Sequence, residues 1–186
     1  MEYFTSIDQN IRISLLGFIG ANLRIYDSNF RHVIFDDFSD ILQVPTGNKE
    51  GLKDALLSED FDFGLEMEES FYITFVETCK QSESKISPSI FYVFLFSSIV
   101  IKRGYDTRLA HVLYKIRVML NVSDEFFQSF LSFFVYFLAH LSDQLLSQDS
   151  QNPSSSSDSS NKNKYWKYAK IGAVALGTGT LLALTG

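Results

Sequence analysis

The chain has 186 residues, 46% of them hydrophobic, with 18 phenylalanines, nine tyrosines and a net charge of −6. That length holds one domain of ordinary size plus an appendage, and the acidic balance argues against a nucleic-acid binder, which needs a basic footprint. Cys79 is the only cysteine, so neither a disulfide framework nor a Cys-based zinc site can be built within one chain, which fits a cytosol-facing body.

The charge is unevenly split. Residues 1–147 carry 20 acids and 12 bases, whereas 148–186 carry two acids and four lysines. The opening MEYFTSIDQN has early acids and no basic n-region, so it does not read as a secretory signal.

In chain order, Ile7, Ile11, Leu15, Phe18, Ile19 and Leu23 fall at helical spacing and predict a helix over 7–26. Thr5 or Ser6 would cap it, and Asp8 suits the positive end of its dipole. Ser28 restarts the pattern through Phe30, Ile34, Phe38 and Leu42, and Pro45 with Gly47 is expected to end it. A weak short helix is expected over 49–58.

Residues 59–69, EDFDFGLEMEE, hold six acids in eleven positions. The plain reading is a solvated loop running into an acidic first helical turn. The sharper reading is a short linear motif, since Asp62, Phe63 and Gly64 resemble peptides recognised by clathrin-adaptor ear domains. The spacing of oxygen ligands in a calcium-binding EF-hand is missing.

A helix is expected over 70–81. Ser87-Pro88 opens the next element at a good helix-start position. Its run from Ile90 to Ile101 is too short to span a bilayer and also suits a strand by composition; helical neighbours and the lack of a partner strand favour a buried helix. From Asp106 the helical period returns in Leu109, Val112, Leu113, Ile116 and Leu120, with Arg108, Lys115 and Arg117 off that stripe. Ser123 caps the following helix, with Asp124 and Glu125 in its first turn. That helix, FFQSFLSFFVYFLAHLSDQLL, is apolar on nearly all sides and is expected at the centre of the core.

Residues 147–161, SQDSQNPSSSSDSSN, cannot bury anything and read as a disordered linker. Lys164, Tyr165, Trp166, Lys167, Tyr168 and Lys170 then form a basic, aromatic flank of the kind found on the cytoplasmic side of a membrane span. The charge-free run from Ile171 carries Gly172, Gly177 and Gly179, with small residues four apart at Ala173 and Gly177 and at Ala175, Gly179 and Ala183. Such spacing lets helix backbones approach closely in lipid, whereas three glycines in eight residues are a poor choice for a water-soluble helix. The run reaches about 24 Å as a helix against a hydrocarbon core of about 30 Å, so an incomplete membrane helix is expected. Gly177 and Gly179 do not make a phosphate loop: Leu182 stands where a third glycine belongs, and no Lys-Ser/Thr follows.

The segment KYWKYAKIGAVALGTGTLLALTG resembles the first membrane stretch of the transmembrane and coiled-coil domain-containing protein 4 family. Tyr105, Asp106 and Arg108, opening GYDTRLAHVLYKIRVMLNVSDEFFQSF, are similar to that family's Tyr-Asp-x-Arg helix start. The two segments cover about 50 residues; residues 1–86 carry no such motif. The resemblance implies a helical N-terminal region, a glycine-rich membrane segment and then an α/β-hydrolase-like domain. No Gly-x-Ser-x-Gly elbow occurs in the chain, so no catalytic residue carries over. His32, His111 and His140 fall on separate predicted helices and show no ligand or nucleophile spacing.

The expected molecule is all-α: a helical bundle over 1–147, a linker over 148–164 and a membrane segment over 165–186, with the bundle facing the cytosol. The expected role is the non-catalytic N-terminal part of a membrane-associated protein. Its bundle would position or regulate the hydrolase-like domain or recruit a cytosolic adaptor protein, with membrane lipid as the other partner and with no cofactor, metal or nucleic acid. The alternative is a complete tail-anchored trafficking adaptor.

Overall fold

The computed structural model describes residues 2–58, 65–81 and 87–149. Among these residues the fold is all-helical and without strands: α1 (Glu2–Thr5), α2 (Gln9–Leu23), α3 (Ser28–Leu42), α4 (Thr46–Leu57), α5 (Leu65–Gln81), α6 (Pro88–Arg103), α7 (Thr107–Met119) and α8 (Asp124–Asp149). They belong to two compact units. One holds the described residues up to Leu95 together with His111–Asn121; the other holds Phe96–Ala110 and the described residues from Val122 onward.

In the first unit the enclosed helix is α2, which packs on α3, α4 and α5. It is buried on almost every side, from Ile11 to Leu23. Two glycines allow this. A Cβ on Gly17 would lie 2.5 Å from the ring of Phe71 in α5, and one on Gly20 would lie 2.7 Å from Leu56 in α4. Asp8, rather than Thr5 or Ser6, is the N-cap, and its carboxylate accepts from the Asn10 N–H at 2.7 Å. Asp27 does the same for α3, accepting from Phe30 N–H at 3.0 Å.

Pro45 and Gly47 do not end a helix; Pro45 is the N-cap of α4 and Gly47 lies in its first turn. Helix α3 has already stopped at Gln43, whose left-handed φ of 53° turns its N–H back to the carbonyls of Asp40 and Ser39. The expected short helix therefore starts earlier, at Thr46, because proline is compatible with a helix start when its missing N–H would be unpaired anyway. Helix α5 likewise begins at Leu65, five residues before the expected start, and absorbs the acidic first turn.

Arg117 does not fall off the apolar stripe of α7 but is buried, its guanidinium 5.3 Å from the centre of the Tyr114 ring. Ring packing and a long aliphatic stem let an arginine occupy such a position.

In the second unit Phe96 is the packing centre. Its ring lies 5.5–5.8 Å from those of Tyr105, Phe127, Phe130 and Phe134, three of them edge-on. Gly104 ends α6 with φ +81°, where a side chain would be strained, and its N–H reaches Val100 O at 2.7 Å. Ser123 caps α8 as expected, its Oγ accepting from Phe126 N–H at 3.3 Å. Helix α8 is not the enclosed core helix its composition suggests. Leu131, Phe134 and Leu138 are buried, but Phe133 and Tyr136 are 67% and 71% exposed, and Phe126 and Phe137 are exposed as well. The run Ile90–Ile101 is helical as expected, though Ile90, Phe94 and Ile101 face solvent.

Candidate functional site

Tyr105, Asp106 and Arg108 come together at the start of α7. Asp106 Oδ1 accepts from Leu109 N–H at 2.8 Å, and its Oδ2 pairs with the Arg108 guanidinium at 3.3 Å. The Asp106 carbonyl also receives the first backbone bond of the helix, from Ala110 N–H at 2.8 Å. Tyr105 packs its ring against Phe96, and burial pushes its phenol pKa up. This geometry is a capped and packed helix start. Asp62, Phe63 and Gly64 lie outside the described residues, as do the linker and the whole of 164–186 with its lysines, aromatics and glycines. Among the described residues no helix is long and apolar enough to cross a membrane.

The histidines lie on three different helices. His32 Nδ1 lies 2.8 Å from Ser28 O, His111 Nδ1 lies 2.8 Å from Tyr26 Oη, and His140 stacks on Tyr136. Among the described residues no group of three or more His, Cys, Asp or Glu side chains could hold a metal ion.

Two features that the sequence reading did not single out are built by the fold. The first is a cavity of about 290 Å³ in the first unit. Ile11 of α2 and Phe91 of α6 form part of its wall, and Met119 at the end of α7 another part. Helix α5 supplies Phe75, Val76, Cys79 and Lys80, one turn after the next. Cys79 and Lys80 are exposed residues, so the cavity opens to solvent beside them. Burial around the thiol nevertheless pushes the Cys79 pKa up, which keeps it protonated at neutral pH.

The second is the outward row of α8. Phe133 and Phe137 stack with ring centres 6.5 Å apart, and Tyr136 and His140 stack at 6.4 Å with planes 3° apart. The spacing of these residues was visible in the sequence, but Leu131, Phe134 and Leu138 show the same helical spacing. Nothing in the one-dimensional pattern says which of the two stripes turns inward.

Buried Arg12 was also not foreseen. Its guanidinium donates to Leu42 O at 3.0 Å, Gln43 O at 2.6 Å and Ile7 O at 3.2 Å, closing the C-terminal end of α3. Its place beside Ile11 in the sequence gives no hint of this, because two of the three acceptors are 30 and 31 residues away.

Comparison of the chain with protein-family models, with curated proteins and with solved structures finds no match.

Proposed function

We propose that this chain is the non-catalytic helical part of a membrane-associated protein and that its helices recruit a cytosolic protein to the membrane surface. The observation that carries the reading is the outward aromatic row of α8: Phe126, Phe133, Tyr136 and Phe137 stand in solvent along one helix. Isolated exposed apolar residues are ordinary, but exposed aromatics that stack along one helix, Phe133 on Phe137 and Tyr136 on His140, mark an interaction surface, and tyrosine and phenylalanine are residue types enriched at protein interfaces.

Charge selects the kind of partner. Helix α8 holds Asp124, Glu125, Asp143 and Asp149 and neither lysine nor arginine. An amphipathic helix that lies on anionic lipid carries its lysines and arginines on the polar face. The row therefore suits an apolar protein surface edged by basic side chains. Membrane attachment belongs instead to the lysines, aromatics and glycines of 164–186, read from the sequence, with the resemblance noted above in support.

The experiment separates the two halves of the reading. The intact chain should sediment with membranes, and deletion of 165–186 should release it. Phe133→Ser with Tyr136→Ser should leave sedimentation unchanged and abolish co-purification of a cytosolic protein. An intact chain that stays in the supernatant overturns the membrane half. A double variant that retains every partner overturns the docking half.

A further inference from the structure

We propose that the cavity of the first unit binds a small molecule made of an apolar chain ending in one carboxylate, with the chain in the cavity and the carboxylate against Lys80. This site is independent of the membrane and docking reading above.

Size sets the chain. At about 30 Å³ per non-hydrogen atom, taken from the share of a water molecule in the liquid, about 290 Å³ holds roughly ten such atoms. Lining sets its chemistry. A water held in a pocket needs two to four polar partners, whereas Phe75, Val76, Phe91 and Met119 offer apolar surface. Filling such a space with hydrocarbon removes that surface from water, at about 25 cal/mol for each Å².

The mouth sets the end group. Lys80 stands on the last turn of α5 and has no ion-pair partner among the described residues. Cys79, one residue before it, is a neutral thiol at neutral pH and puts no negative charge beside an incoming carboxylate. Pockets of this kind are mostly apolar, with a few polar groups that fix orientation. Here the ammonium at the solvent edge is the orienting group, and a carboxylate can reach it without being buried.

The chain itself supplies the reporter. Cys79 is the only cysteine in the sequence, so alkylation of the intact chain by a small maleimide at fixed pH reads this cavity alone. Decanoate, kept below its micelle concentration, should slow alkylation, and should do so at several-fold lower concentration than decanol. Decyltrimethylammonium should protect least. Lys80→Glu should invert the order of decanoate and decyltrimethylammonium. Val76→Trp, which fills the space, should remove protection by all three; Lys80→Glu alters an exposed side chain and keeps the test decisive should that variant not fold. Unchanged alkylation in decanoate overturns the proposal. Equal protection by the three amphiphiles that Lys80→Glu leaves untouched, or faster alkylation because decanoate loosens the helices, overturns it too.

Discussion

Arg12 is the residue on which the end of α3 depends most. The last four carbonyls of a helix lack partners within it, and two carbonyls at this end, of Leu42 and Gln43, accept from one buried guanidinium. Arg12→Leu takes the charged donor away from both acceptors, and the Leu42 carbonyl is buried. It should lower stability by about 1–3 kcal/mol in urea unfolding, the usual cost of an unmet buried group. Arg12→Lys keeps the charge but not the fork, and should recover only part of that loss. At α7, Asp106→Ala removes a cap and should lower stability by about 0.5–2 kcal/mol. Partner capture by the variant should be unchanged. Loss of partner with stability intact would make Tyr105, Asp106 and Arg108 a recognition motif rather than a helix start.

At the scale of the element, glycine has opposite meanings in α2 and α4. A methyl at Gly20 would meet Leu56 at 2.7 Å and Phe35 at 3.0 Å, both fully buried. Overpacking of this sort costs about 1–3 kcal/mol, and improved helix propensity returns only about 1 kcal/mol. Gly20→Ala should therefore be destabilising, by up to about 2 kcal/mol. Nothing lies within 4 Å of a Cβ at Gly51, so Gly51→Ala should raise stability by about 0.5–1 kcal/mol. Thermal melts of the two variants side by side check the close packing of α2. If both alanines stabilise, the tight contact at Gly20 is wrong.

For the whole molecule, stability should fall in acid partly through Asp36. Its carboxylate lies 2.8 Å from Lys53 Nζ and 3.2 Å from Lys49 Nζ. Burial pushes its pKa up, but the two lysines outweigh this and hold it below the ordinary value of an aspartate. A carboxyl whose pKa is depressed by folding stabilises the folded state above its unfolded pKa, and that contribution is lost as pH falls through the folded pKa. The stability gap between the parent and Asp36→Asn should thus shrink from about pH 5 to about pH 3. These side chains are partly exposed, so the gap at neutral pH should be on the order of 0.5–1 kcal/mol. The intact chain should also show only background turnover on short and long esters, because hydrolysis through a covalent intermediate needs an activated nucleophile and an oxyanion site. Turnover abolished by one Ser or Cys substitution would overturn the non-catalytic reading.

Much of the secondary structure was legible in the residues themselves. Helical periodicity, the helix starts at Asp106 and Ser123, and the proline at the start of α6 are local signals, each resolved within one or two turns. Local steric and hydrogen-bonding preferences suffice for these. The start of α4 was misread because proline and glycine also serve as stop signals, and only the left-handed turn at Gln43 separates the two uses. Burial was a different matter. Helix α8 has the aromatic content of a core helix, yet α2 is the helix enclosed by its neighbours, through Gly17 and Gly20. Which apolar face turns inward depends on side chains brought close from distant parts of the chain. So does the cavity beside Cys79, whose walls come from α2, α5, α6 and the end of α7. Close approach is decided by packing in three dimensions, and no local pattern of hydrophobic residues encodes it.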